Sequence, residues 1–204
     1  MTDNMKLWNA VCMTDPDRTK EVNVRGGFTA IDAMYQMQCA TEQFGAAGVG
    51  WGWNFTDPIY PPNGTVVIKC VLWHGKKENT VEQFGQKKLG NDEDALKKAG
   101  TDALTKCLSY LGFNADVFLG MFDDSKYVES VRVKIKAAAW VNTHMLEVED
   151  CKELRDLDNL STDKSADVSR LKKKYPDLGD KIEDCYKSKR DKFTASPSQA
   201  AGNA

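Results

Sequence analysis

Several common signals are missing from this chain of 204 residues. No apolar run approaches the length of about 20 residues that a membrane-spanning helix needs. The first residues, Met1 to Asn4, have neither the basic start nor the apolar stretch of a signal peptide. We therefore expect a protein that stays in the cytoplasm and has no membrane contact.

Close cysteine pairs and histidine clusters are missing as well. No two of the six cysteines form a C-x-x-C pair, and the only histidines are His74 and His144, so no zinc site is predicted. We expect the cysteines to be reduced, several of them in the core. The cysteines are Cys12, Cys39, Cys70, Cys107, Cys151 and Cys185.

Nucleotide-binding motifs are not found either. The chain has no G-x-x-x-x-G-K-[ST] loop, and the glycines at 48, 50 and 52 lead into a strand, with Trp53 where the dinucleotide fingerprint needs glycine. The acidic cluster 92–94 and the pair 123–124 could hold magnesium as in a nuclease, but a helix N-terminus and a turn explain them at least as well. We expect no enzyme, no cofactor and no metal.

Charge is balanced over the whole chain, with a formal net charge of −2. Residues 1–130 contain 13 Lys/Arg and 17 Asp/Glu, whereas residues 131–204 contain 15 and 13. A binding site for a polyanion in the first part must therefore be a local stripe of cations, with the acids on another surface.

The segment from Asp92 to Tyr127 carries the clearest pattern. Acidic residues 92–94 suit the positive end of a helix dipole, and Gly112 suits a left-handed closing position. Between them, apolar residues recur at three- and four-residue spacing and predict a helix with one buried face. These residues are Leu96, Ala99, Ala103, Leu104, Cys107, Leu108 and Leu111.

Two interpretations remain for the polar side of this helix. Asp94, Lys98, Asp102 and Lys106 alternate in sign at four-residue steps, as on a solvated face with weak ion pairs. Alternatively, lysines interleaved with hydroxyl groups contact a phosphate backbone. The lysines are Lys97, Lys98 and Lys106, and the hydroxyl residues are Thr101, Thr105 and Ser109.

Strand patterns precede this helix. Trp51, Trp53 and Phe55 alternate with smaller residues, a turn follows at 61–64, and two further strands are predicted at 65–74 and 80–89, separated by a break at 75–79. The fold class is α+β, with an antiparallel β-meander packed on two helices, a β-β-β-α core.

The first of these two helices is predicted from Thr29-Ala30-Ile31-Asp32, which has the spacing of a capping box, to Gly45. Its mostly apolar face would contain Ile31, Met34, Tyr35, Gln38, Thr41 and Phe44. The first twenty or so residues of the chain are interpreted as an irregular arm with an amphipathic segment around Leu7, Trp8 and Val11.

After Tyr127 the pattern indicates short amphipathic helices. We predict a core at 1–130, a small helical C-terminal appendage at 131–193 and a disordered tail at 194–204. The appendage carries a second cationic surface, interpreted as a solvated helix face or as a contact to DNA or a replication partner. Its cations are Lys172, Lys173, Lys174, Lys187, Lys189, Arg190 and Lys192.

The order of these features resembles a known family. A glycine pair before a helix, an aromatic strand, a meander, and a helix with T-D-A-L-x-K followed by S-Y-L-G-F are similar to bacteriophage single-strand annealing proteins of the Rad-fifty-two-like (Sak-type) recombination superfamily. The resemblance spans about Asn9 to Tyr127. It is strongest in the stretch 25–32, in Thr41 to Phe55 and in Asp94 to Tyr127.

The resemblance implies ATP-independent binding of single-stranded DNA and annealing of complementary strands in phage recombination and repair. It also implies a homo-oligomer, either a ring or a helical filament, in the bacterial host cytoplasm. A phage exonuclease or a single-strand binding protein would be a candidate partner. Annealing needs no catalytic residue, because the protein holds one strand by its phosphates while the bases test their pairing.

The resemblance also implies cations along a DNA groove. Arg25 and Lys106 match such positions and Lys126 falls near another, whereas Thr105 and Ser109 stand where relatives often carry Lys or Arg. Lys76, Lys77, Lys87 and Lys88 could extend the stripe, or could serve hairpin solubility and edge protection. Trp51, Trp53 and Trp73 could stack on bases, or could be core residues.

A function from another class remains open. The chain could be a non-enzymatic interaction protein of a phage replication or recombination complex that has lost strong DNA affinity. The net charge of −4 in residues 1–130 and the missing cations at Thr105 and Ser109 favour it.

Overall fold

The computed structural model describes residues 4–22 and 27–195. In these residues the protein has seven α-helices and two antiparallel sheets, which confirms a mixed α+β class. The chain divides into a first unit, Met1–Val131, and a second unit, Arg132–Ala204.

The first unit begins with a short helix and a two-stranded sheet. Helix α1 spans Lys6–Val11, and strands β1 (Thr19–Val22) and β2 (Phe28–Ile31) pair antiparallel. Two expectations were wrong here, because the irregular arm contains β1 and the predicted capping box forms β2. Cross-strand pairing of Thr19 with Ile31 offers these β-branched residues a sheet instead of a first helical turn.

Helix α2 (Ala33–Phe44) therefore begins later than predicted, with the carboxylate of Asp32 accepting a hydrogen bond from the Met34 amide. Its predicted apolar face was wrong in part, although Phe44 packs against the core as predicted. Gln36 and Ala40 are buried, whereas Met34 is 67% exposed. Gln36 tolerates burial because its side-chain amide donates to the carbonyl oxygen of Phe113 and to the hydroxyl of Ser109.

A three-stranded sheet follows, in the order β3 (Trp51–Phe55), β4 (Thr65–His74), β5 (Lys76–Lys88). The turn before β4 places Gly64 at φ 71°, and a much tighter one at Gly75, φ 67°, joins β4 to β5. The predicted break at 75–79 was wrong in part, because β5 already starts at Lys76, but the register shifts between Trp73 and His74, and the pairing with β4 passes from Lys76 to Thr80.

Helix α3 (Ala95–Tyr110) packs on β4 and β5. The predicted buried stripe is confirmed at its five central residues, whereas Leu96 is 41% exposed and Leu111 is half-buried just past the end of the helix. Gly112 closes the helix at φ 96°. Close packing depends on Gly85 of β5, where a Cβ atom would lie 2.0 Å from the carbonyl oxygen of Ala99. Val66, Ile68, Cys70 and Leu72 of β4 complete the buried face.

Helix α4 (Ala115–Phe118) follows, and α5 (Ser125–Asp150) contains the boundary between the units. The second unit continues with α6 (Leu154–Lys174) and α7 (Pro176–Thr194). The expectation of short helices was wrong, because α6 alone has 21 residues. No glycine or proline interrupts α6, and Pro176 opens the next helix at a position where its missing N–H costs nothing.

The predicted disordered tail at 194–204 was wrong at its first residue, since Thr194 ends α7, and residues 196–204 lie outside the described part of the chain. Free thiols are found at Cys39, Cys70, Cys107, Cys151 and Cys185, as expected. In the described ranges, no helix is both long and apolar enough to cross a membrane.

Candidate nucleic-acid interface

The predicted DNA-binding cations lie in separate groups. Lys76 and Lys77 start β5 and Lys87 and Lys88 end it. Ten residues of strand at about 3.3 Å each separate the two groups by about 33 Å. The four lysines are exposed, but they do not form one continuous cluster.

Lys98 carries a direct counter-charge. Its Nζ lies 2.7 and 2.8 Å from the two carboxylate oxygens of Asp92. This hydrogen bond lowers the pKa of Asp92 and raises that of Lys98, so both stay charged at neutral pH. Asp92 precedes α3 in the chain, so the partner of Lys98 lies outside the predicted polar row of the helix.

Lys106 has a counter-charge too. Its Nζ lies 2.8 Å from Oδ2 of Asp102, one turn earlier in α3, as expected for a helix-stabilising pair. The same two side chains reach the open edge of β5. Lys106 donates to the carbonyl oxygen of Phe84 at 3.3 Å, and Asp102 accepts from the Gln86 amide at 3.3 Å.

The remaining cations are less engaged. Within the described residues, Lys97 of α3 has no carboxylate at ion-pair distance. Lys87 is close enough to Asp92 to contribute to the lowering of its pKa, which places Lys87, Asp92 and Lys98 together where β5 leads into α3. Lys126 is exposed in the first turn of α5. Arg25 lies outside the described residues.

A groove of about 540 Å³ lies between β2 and the polar side of α3. Phe28 to Ile31 form one wall, and the wall from α3 is lined by Lys98, Thr101, Asp102 and Thr105. Phe118 of α4 closes one side and is itself exposed. The groove thus lies between β2 and the helix face that the sequence singled out.

The hydroxyl groups on this helix face are already in use as donors. Thr101 donates to the Lys97 carbonyl at 3.0 Å, Thr105 to the Thr101 carbonyl at 3.0 Å, and Ser109 to the Thr105 carbonyl at 2.8 Å. In these rotamers the oxygens offer only lone pairs, which repel a phosphate. Phosphate contact through these residues requires the hydroxyls to turn.

The three candidate tryptophans differ in burial. Trp51 and Trp73 are buried, as core residues are, whereas Trp53 is only half-buried. The ring of Trp73 lies against Gly52 on one side, and the Lys77 ammonium lies 3.3 Å from its centroid. Lys77 is therefore engaged in a cation–π contact.

Sequence reasoning missed a buried carboxylate. Asp116 is 2% exposed, and its oxygens accept hydrogen bonds from the Thr14 amide and hydroxyl, the Val117 amide and the Tyr127 hydroxyl. Asn114 donates to the same Thr14 hydroxyl and holds a left-handed φ of 57°. The network ties residue 14 to the chain after α3, a tertiary contact with no local sequence signal.

The second unit contains another polar set that the sequence did not indicate. Buried His144 contacts Glu147 through Nδ1 at 2.9 Å and the Tyr186 hydroxyl through Nε2 at 3.0 Å. Burial raises the pKa of Tyr186 to about 12. The three side chains come from α5 and α7 and tie these helices together.

Metal-binding geometry is not seen in the part of the chain that the structure covers, where no three His, Cys, Asp or Glu side chains are grouped to hold an ion. The chain matches no family model and no curated protein.

Proposed function

We propose that the protein binds single-stranded DNA and anneals complementary strands without ATP. The observation that carries the proposal is the groove between β2 and α3, which has Lys98 in its wall. Lys97 precedes Lys98 in the chain, and Lys87 lies near Asp92, the ion-pair partner of Lys98. The order β3, β4, β5, α3 is the β-β-β-α arrangement that the resemblance implies, and it adds support. In this proposal the protein acts as a ring or helical oligomer in the host cytoplasm.

Electrostatics sets the expected strength of binding. Lys98 and Lys106 have carboxylate partners, so each contributes less to phosphate attraction than a free cation would. The ammonium of Lys97, which has no carboxylate partner among the described residues, and the exposed lysines at the end of β5 provide most of the attraction. We therefore expect weak, salt-sensitive binding.

The first experiment mixes the protein with two complementary oligonucleotides, without ATP or metal, and follows duplex formation as salt is raised. Annealing should be faster than the spontaneous rate at low salt and should slow as salt rises, because counterions compete for the phosphates. No binding and no acceleration at low salt would overturn the proposal.

Charge-removal variants locate the contact. Lys87→Ala with Lys97→Ala should weaken single-strand binding and lower its salt slope by about 0.7 for each phosphate that is no longer bound. The matched control, Lys136→Ala with Lys152→Ala, removes the same charge from exposed sites in the second unit. An equal loss of affinity in both double variants would mean that only overall charge matters.

The second candidate is an interaction protein of a replication or recombination complex with little DNA affinity. The pairing of Lys98 and Lys106 and the engaged hydroxyls of the groove favour it. Under this candidate Lys87→Ala with Lys97→Ala leaves DNA binding nearly unchanged, because there is little affinity to lose. The same titration therefore separates the two functions.

A further inference from the structure

An apolar cavity of about 380 Å³ opens next to the groove. Trp53 and Phe55 of β3 form one side of this cavity, and Leu96, Gly100 and Thr101 of α3 form the other. Pockets that bury small ligands begin at about 300 Å³, so the cavity is large enough for one flat ring system.

An exposed aromatic ring borders this cavity. Phe55 is 44% exposed, although it stands on the face of β3 that is turned toward α3. Gly100 allows the ring to lie directly on the helix, since a Cβ atom there would be 3.3 Å from Cζ of Phe55. The sheet and the helix thus hold the ring, yet part of its surface remains open to a ligand.

Charge at the rim indicates what the ligand is. Lys97 lines the cavity, and the described residues place no carboxylate at ion-pair distance from it. An apolar occupant with a negative charge beside it suits this arrangement better than a purely apolar side chain. A nucleotide has this combination, with a base that stacks and a phosphate that pairs with an ammonium.

Thr101 connects the cavity to the groove, because it lines both. A DNA strand that follows the polar side of α3 would therefore pass the mouth of the cavity, with only the Thr101 side chain between the two. The Thr101 hydroxyl donates to the Lys97 carbonyl and keeps its lone pairs free, so it can accept from an N–H group of a base.

We propose that this cavity takes one nucleobase of a bound single strand, stacked on Phe55, with a neighbouring phosphate on Lys97. The proposal rests on the proposed function, and it adds that bases as well as phosphates contribute to affinity. Every base has a stacking face, so the contact tolerates any sequence.

The test compares an ordinary oligonucleotide with one of equal length in which every base is replaced by an abasic site. The native protein should bind the ordinary strand about tenfold more tightly, the size of one base–aromatic stack. Phe55→Leu keeps an apolar side chain but removes the ring face, so it should lose that advantage and bind both strands alike. Lys97→Ala should weaken binding to both.

Phe84→Leu is the matched control, because Phe84 is a similarly exposed phenylalanine of the same sheet and lines neither cavity. It should bind the ordinary strand as the native protein does. A second measurement needs no variant: a strand containing a photoreactive base analogue, irradiated in the complex, should crosslink to β3.

The outcomes separate the two proposals. Binding of neither strand by the native protein overturns the proposed function and this inference together. Equal binding of both strands, or an unchanged preference in Phe55→Leu, overturns the base pocket and leaves DNA binding intact. If Phe55→Leu instead changes only the size of the protein in solution, the occupant is a side chain of a second copy and the base pocket is wrong.

Discussion

The two units bury their charged and apolar groups differently. In the first unit, β4 and α3 contribute to a cluster of fourteen buried hydrophobic residues, and the buried Asp116 is held by hydrogen bonds. Among the described residues of the second unit the cluster has three buried members, Val141 and Ile182 are buried as well, and ion pairs join the helices at their surface. Lys172 pairs with Asp180 and Glu183, Arg190 with Asp158, and Lys189 and Lys192 with Glu149.

This difference teaches where each unit is sensitive. Each exposed ion pair contributes about 0 to 1 kcal/mol to the free energy of unfolding. Removing any one of the ion pairs of the second unit should therefore have a small effect. A buried carboxylate leaves its donors without partners when it is removed, which costs far more. The first unit should therefore depend strongly on the network around Asp116, whereas each surface ion pair of the second unit should matter little, and buried His144 is the exception in that unit.

The largest expected effect is for Asp116→Ala. The change leaves the Thr14 hydroxyl and amide and the Tyr127 hydroxyl without their buried acceptor. We expect a loss of about 4 kcal/mol in the free energy of unfolding, measured by urea titration with tryptophan fluorescence. Asp57→Ala, an exposed carboxylate of the same unit, should cost almost nothing. A small loss from Asp116→Ala would end the contrast between the units.

The next largest effects are expected for glycine-to-alanine substitutions, one in each unit. Gly85→Ala places a methyl group 2.0 Å from the Ala99 carbonyl oxygen, so α3 must move away from the sheet, at about 3 kcal/mol. Gly179→Ala places one 2.5 Å from Cβ of Lys172, and we expect about 1.5 kcal/mol because α6 and α7 share a smaller buried cluster.

Circular dichroism during urea unfolding measures both glycine variants. If Gly179→Ala costs more than Gly85→Ala, the second unit is the more tightly packed one, and the comparison is reversed.

The smallest expected effect is for Asp158→Ala, which removes the exposed partner of Arg190. We expect a loss below about 1 kcal/mol that shrinks further as salt is raised, since salt screens the native pair. Thermal unfolding of the variant and the native protein at two salt concentrations measures it. A loss that is large or independent of salt would show that the pair is more than a surface contact.

Local sequence patterns predicted those elements whose buried face consists of apolar residues at regular spacing. Helix α3 combines a regular apolar stripe with Gly112, and its bounds followed from these features. The hairpin β1–β2 was not predicted, because Thr29 and Asp32 have the spacing of a helix cap. Residues 28–31 form a strand because they pair with β1. The buried face of α2 was missed because Gln36 is polar and its burial is offset by a carbonyl 77 residues away.

The candidate site was predicted only in part, again because contacts between residues distant in the sequence decide its structure. The lysines were visible in the sequence, but their partners depend on folding. Lys98 pairs with Asp92 from outside the helix, whereas Lys106 pairs within it. Phe55 read as one more alternating residue of a strand, and its exposed ring depends on Gly100 in a distant helix.

The contact of Asp102 and Lys106 with β5 has a geometric basis. Four residues of helix rise about 6 Å, and two residues of strand advance about 6.7 Å, so a pair spaced i, i+4 is nearly commensurate with alternate backbone groups of a strand. Asp102 meets Gln86 and Lys106 meets Phe84 in this ratio. A shift of α3 by one turn along β5 would break both contacts at once. The two charged side chains therefore favour one position of the helix along the strand.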